Sequence, residues 1–167
     1  MFNSQLIMKG KGSTAYYSEE RIDDLMTTYT RLLSSYEGYI DPDDLFCKVV
    51  NMPSRRFWVS AERAAVVLSK MEKGDMLAYM GRTRREMFHE IYRRAKELQK
   101  KDPTLSIRQL AIQVVYQPAP KFYLTADSAR VIIYRVRREW HRRRNAGLRR
   151  VRFSQNERGT ANTTGEQ

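Results

Sequence analysis

A stretch of 27 residues beginning at Leu45 recurs 65 positions later without a gap, which confines the chain to folds built from one supersecondary unit used twice. Eight of the 27 positions are identical: Leu45/Leu110, Val49/Val114, Val50/Val115, Pro53/Pro118, Phe57/Phe122, Ala61/Ala126, Ala64/Ala129 and Val66/Val131. Most of the others keep their chemistry, as in Arg56/Lys121, Trp58/Tyr123, Ser60/Thr125, Glu62/Asp127 and Lys70/Arg135. Matching that runs through apolar, aromatic and hydroxyl positions alike is what a tandem duplication leaves.

Each copy reads as three helices. In the first, helix A opens near Ser18 with Glu19 and Glu20 in its first turn, where negative charge suits a helix N-terminus. Ile22, Leu25, Met26, Tyr29, Leu32 and Leu33 then follow at helical spacing, as do Phe88, Ile91, Tyr92, Ala95 and Leu98 in the second copy. Helix B begins with Asp41 as N-cap and Pro42 at the first helical position, and its counterpart uses the capping box Ser106 and Gln109. Each helix B stops before a proline, and the segments PSRRFWV and PAPKFYL lead to a hydroxyl cap, Ser60 or Thr125, for helix C. The first helix C ends near Gly74. The second carries an apolar seam of Ala126, Ala129, Ile133, Val136 and Trp140.

The expected fold is therefore all-α, with two tandem three-helix repeats of about 65 residues. Residues 1–17 form an irregular lead-in, 18–82 the first repeat, 83–147 a basic second repeat, and 148–167 a basic and then polar flexible tail. A unit of this size is near the lower limit for burying its own core, so packing of one copy on the other is expected to help.

The net charge of +12 is unevenly placed. Residues 1–82 hold 11 basic and 11 acidic side chains, so the whole excess belongs to residues 83–167. Between Arg135 and Arg152 nine arginines face one glutamate, a density that calls for a polyanion partner. No apolar run reaches the roughly 18 residues of a membrane span, and the N-terminus lacks a signal peptide's apolar core. A soluble, cytoplasmic protein is expected, nucleoid-associated if bacterial, with no membrane partner. The single cysteine, Cys47, excludes an internal disulfide, and its place in helix B reads as a small core residue. His89 and His141 stand far apart, and no nucleophile, phosphate loop or carboxylate pair has a usable spacing. Neither catalysis, a metal nor a cofactor is expected.

Three helices with a turn before the third resemble the helix-turn-helix superfamily, and the tandem arrangement is similar to paired homeodomain-like or Myb-type units. The likeness is one of architecture over residues 18–146. It implies that the helices starting at Ala61 and Ala126 enter the major groove, with Ser128 and Arg130 among the base-reading side chains. On the residues' own chemistry, Arg55, Arg56 and Lys121 precede the N-terminus of a helix C, where free amides favour a phosphate, against the plainer reading of a solvated basic turn. Arg135, Arg137, Arg138, Arg142, Arg143 and Arg144 along the second helix C, and Arg149 and Arg150 in the basic start of the tail, supply phosphate contacts. The aromatic pairs Phe57-Trp58 and Phe122-Tyr123 fit core anchors better than base-stacking platforms.

The leading expectation is a non-enzymatic protein that binds duplex DNA, with a regulatory use implied by the resemblance. Two other readings use the same residues. One is an assembly or adaptor protein, such as a phage packaging or mobile-element accessory factor, forming a homo-oligomer or holding a protein partner through the neutral first repeat. The other is an RNA-binding protein, because an arginine-rich helix suits structured RNA as well as DNA.

Overall fold

Local capping chemistry fixes where the helices begin. In the computed structural model, which describes the backbone of residues 14–160 and the side chains of residues 17–146, there are six helices and no named strand among the described residues. They are α1 (Thr14–Ser34), α2 (Pro42–Asn51), α3 (Ala61–Glu72), α4 (Arg82–Lys101), α5 (Ile107–Val115) and α6 (Ala126–Thr160). Asp41 accepts from the Asp43 amide at the start of α2, and Ser60 accepts from the Arg63 amide at the start of α3. Ser106 and Gln109 close the capping box of α5, and Thr125 accepts from the Ser128 amide at the start of α6. The protein is all-α, as the periodicity implies.

Helix ends depart from the sequence reading at both extremes. α1 starts at Thr14, ahead of Ser18, while residues 1–13 of the expected lead-in lie outside the described residues. α6 runs to Thr160, past Phe153, where composition suggests a tail. No proline interrupts that span, and a lone glycine such as Gly147 costs a helix only about 1 kcal/mol. Residues 161–167 of the expected tail lie outside the described residues.

Between α3 and α4 the chain turns on Gly74, whose φ of +92° only glycine adopts without strain. The Gly74 amide donates to the Met71 carbonyl and the Asp75 amide to that of Lys70, the paired bonds of a Schellman cap. Leu77 follows with φ of 56°, a left-handed backbone held by an Asp75 carboxylate that accepts from the Leu77 amide. That conformation delivers a fully buried leucine side chain into the core.

The described residues divide into two compact units, one through Arg130 and the other from Val131. Within the first, α1 packs on α2, whereas α3 packs on α5 and α4. The resulting core joins Phe57, Val67, Leu68 and Met71 to Phe88, Ile91, Leu110, Val114 and Val115. Helix α3 thus completes its bundle with the pair that follows it in sequence. A helix-turn-helix unit would set α3 against the α2 that precedes it. Here the connection 52–60 is long enough to carry the chain across to the other pair.

The two long connections meet in a short antiparallel bridge. Ser54 and Ala119 exchange both backbone hydrogen bonds at 3.0 Å. Beyond them the Phe57 amide donates to the Val115 carbonyl at 3.1 Å, and the Phe122 amide donates to that of Val50 at 3.0 Å. Adding 65 to Ser54, Phe57 and Val50 gives Ala119, Phe122 and Val115, so each bond has a partner with the two copies interchanged. Burial follows the same correspondence: Leu45/Leu110, Val49/Val114, Val50/Val115, Phe57/Phe122 and Ala64/Ala129 are buried in both places. Ala129 and Arg130 lie just inside the start of α6, and Arg130 reaches Asp43 in the first turn of α2.

One sequence reading is corrected on α2. Cys47 is exposed, because Leu45, Phe46, Val49 and Val50 take the buried face and turn position 47 outward.

Candidate nucleic-acid interface

The basic residues ahead of α3 and α6 are taken up by the fold. Aspartates 23 and 24 of α1 receive Arg55: its guanidinium lies 2.8 Å from Asp23 and 3.3 Å from Asp24, and its amide donates to Asp24 at 2.9 Å. Arg56 is buried, with its guanidinium 4.1 Å from the Tyr116 ring centre and 5.5 Å from that of Trp58. Glu20 stands 3.8 Å from it. Lys121 is bonded to Glu86 at 2.7 Å and lies over the Tyr123 ring. This bond, followed by the one from Arg82, holds the Glu86 carboxyl below the usual glutamate range. These three cations pin the connections to helices, so the anion site drawn at this turn from sequence has its charges already engaged.

The aromatic pairs beside them serve packing. Phe57, Trp58 and Phe122 are buried, and Tyr123 is partly buried with its ring 6.0 Å from Phe57. Burial pushes the Tyr123 phenol up to about 12. A buried ring offers no face to a base.

At the start of α6, Ser128 is exposed and its hydroxyl accepts from Thr125 at 2.8 Å. Arg130 is shared between Asp127 at 2.8 Å and Asp43 at 3.3 Å. Both side chains expected to read bases therefore make contacts that organise the helix start. Sequence reasoning overlooked this, although Asp127 lies three residues before Arg130 on one face, the usual helical ion-pair spacing.

The second unit, described by itself, holds the rest of the candidate residues. Ile133 and Val136 are buried, and the seam stops there, because Trp140, expected to extend it, is 41% exposed. Arg135, Arg137, Arg138, Arg142, Arg143 and Arg144 are all exposed. Glu139 is the sole acid from Val131 to Ala146, and it takes Arg142 at 3.2 Å and Arg143 at 3.4 Å. Arg135, Arg138 and Arg144 have no carboxylate partner among the described residues. Arg149 and Arg150 continue the helix, but their side chains lie outside the described residues.

Helical register arranges these charges. Positions 135, 138 and 142 fall on one stripe opposite Ile133 and Val136, whereas positions 137 and 144 lie across the helix from that stripe, beside Ile133. The result is a rod with a guanidinium about every turn and little internal neutralisation. Among the described residues no group of histidine, cysteine or carboxylate side chains is arranged to hold a metal ion, and no helix is long and apolar enough to cross a membrane. Comparison with protein-family models, curated proteins and solved structures finds no match to this chain.

Proposed function

We propose that this is a non-enzymatic nucleic-acid-binding protein whose contact surface is the arginine-covered exterior of α6, with duplex DNA as the favoured polymer. The observation that carries this reading is the set of exposed guanidinium groups at Arg135, Arg138 and Arg144, which have no carboxylate partner among the described residues. Like charges a turn apart destabilise a helix by a few tenths of a kcal/mol per pair, a cost that a phosphate backbone reverses. Arginine adds paired donors that match phosphate oxygens. A continuous helix of 35 residues is about 50 Å long, enough to follow a duplex over more than one turn.

In the same proposal the chain is a duplicated three-helix unit in which the start of each third helix has crossed to the other copy. The interchanged hydrogen bonds of Ser54, Phe57 and Val50 with Ala119, Phe122 and Val115 support it. The first copy then acts mainly as the platform for the second. Arg55, Arg56 and Lys121 become structural in this version, and Ser128 and Arg130 cap and tie α6.

The test is a competition experiment on the full chain with labelled duplex DNA, challenged by single-stranded DNA and by structured RNA. Displacement chiefly by unlabelled duplex is expected. Displacement chiefly by structured RNA would reassign the polymer, and no binding at low salt would end the proposal. A stable oligomer without nucleic acid, seen by light scattering, would favour the assembly reading.

A further inference from the structure

Seven of the eight residues shared by the copies have an evident place in the fold. Leu45/Leu110, Val49/Val114, Val50/Val115, Phe57/Phe122 and Ala64/Ala129 are buried, Pro53/Pro118 follow a helix end, and Ala61/Ala126 open a helix. Val66 and Val131 are different, being 49% and 62% exposed. A valine in mid-helix loses side-chain freedom without gaining burial, so the folded chain derives little from keeping it.

The surroundings of the two valines also correspond. Four residues after each comes an exposed basic side chain, Lys70 or Arg135, and three further on another, Lys73 or Arg138. Steps of four and three keep all three residues on one outward face, and the two cations stand about 6 and 10 Å along the axis from the valine. The two cations are thus about 4.5 Å apart along the axis, and their long flexible side chains spread to neighbouring phosphates of a strand. One turn before each valine an acid, Glu62 or Asp127, occupies the positive end of the helix, which leaves the cations one and two turns beyond the valine as the place for an anion.

On α3 this face is open. Lys73 has no ion pair among the described residues, and the Lys70 ammonium lies 5.5 Å from the Tyr79 ring centre, with Tyr79 60% exposed. The nearby Glu72 is taken by Lys96 at 2.6 Å, which leaves the positive charge of the face in excess.

We propose that the outer face of α3, formed by Val66, Lys70 and Lys73, is a second contact for the phosphate backbone of duplex DNA, equivalent to the Val131, Arg135 and Arg138 face of α6. The inference rests on the function proposed above and extends it to the near-neutral first copy. Net charge hides this face, because many acids of that copy are engaged elsewhere, at helix starts and with Arg55, Arg56 and Lys96. The two cations bind phosphates, and the valine packs on sugar.

The experiment measures duplex affinity of the full chain against salt for wild type, Lys70→Gln/Lys73→Gln, Arg135→Gln/Arg138→Gln and Lys100→Gln/Lys101→Gln, the last pair being exposed at the end of α4. Each lost phosphate contact lowers the slope of log affinity on log salt by about 0.9. Both helix C variants are expected to lose about two units of slope, and the α4 variant to keep the wild-type value. An unchanged slope in the α3 variant together with a reduced one in the α6 variant overturns this inference and leaves the proposed function standing. An equal loss in the α4 variant also overturns it, since any surface charge would then serve. Absence of salt-dependent binding by wild type would defeat the proposed function itself. Val66→Thr, which keeps the branched shape, is expected to weaken binding severalfold at constant slope, and wild-type affinity in that variant would remove the apolar part of the contact.

Discussion

Ser54 and Ala119 lie 65 positions apart and bond to each other through both backbone amides at 3.0 Å, so equivalent positions of the repeated stretch of sequence touch one another. Both residues are buried, so neither pair of groups has water as an alternative partner. Ala119→Pro removes one donor and leaves the Ser54 carbonyl unsatisfied. A loss of about 2–3 kcal/mol is expected in urea unfolding. Ser54→Ala should cost only about 1 kcal/mol, because its hydroxyl bonds the Arg56 carbonyl, while alanine already stands at position 119.

Gly74 gives a test of the α3 end that is free of packing effects. A Cβ there would meet nothing within 4 Å, yet φ is +92°. Gly74→Ala is therefore expected to destabilise by about 1 kcal/mol through backbone strain alone, seen as a lower urea midpoint at unchanged slope. Gly81→Ala, where φ is negative and the space is equally open, carries no such strain, and because glycine is preferred to alanine at the N-cap of α4 it is expected to cost about 0.5 kcal/mol or less once the reduced freedom of the unfolded chain is counted.

Asp24 supplies a pH signature. Burial raises its carboxyl above the usual aspartate range, and the bonds and charge of Arg55 offset this only in part. A raised folded-state value means that the native protein binds this proton more tightly than the unfolded chain. Asp24 therefore opposes folding when ionised, and acidification through the window just above its unfolded value relieves the penalty. Asp24→Asn should be at least as stable as wild type near pH 7, with the difference shrinking toward about pH 4. A large loss in the variant near neutrality would contradict the assignment. Glu90 acts with the opposite sign: Arg93, and then Arg94, hold its carboxyl low, so its contribution is present at neutral pH and fades in acid.

The outward position of Cys47 is open to a simple check. A thiol reagent should label the native protein at the rate of an exposed cysteine, without denaturant. Protection until unfolding would mean that α2 is rotated from the register described here.

Much of the secondary structure was legible because capping is local. Asp41 with Pro42, Ser106 with Gln109, and Gly74 each mark a terminus through neighbours a few residues away. The partners of α3 were not legible. Leu68 and Met71 declare a buried face, but periodicity gives no hint whether α2 or α5 covers it. The same limit applies to charge. Arg55, Arg56 and Lys121 look available in sequence, yet Asp23, Asp24, Glu20 and Glu86 reach them from 31 to 36 residues away. The arginines of α6 fared otherwise because Glu139 is the sole nearby acid on their own helix, which sequence does show. Cys47 was misplaced at the edge of its apolar stripe, whereas Trp140 lies in line with Ile133 and Val136 but beyond the point where the buried seam ends.

The most direct measurement is the affinity of the full chain for a duplex at low and moderate salt, compared with Arg135→Gln/Arg138→Gln/Arg144→Gln. The proposal that α6 binds phosphates predicts tight binding by wild type that weakens by tenfold or more between about 50 and 200 mM salt, and a shallower dependence in the variant. Equal affinity and equal salt dependence in the two proteins would contradict it.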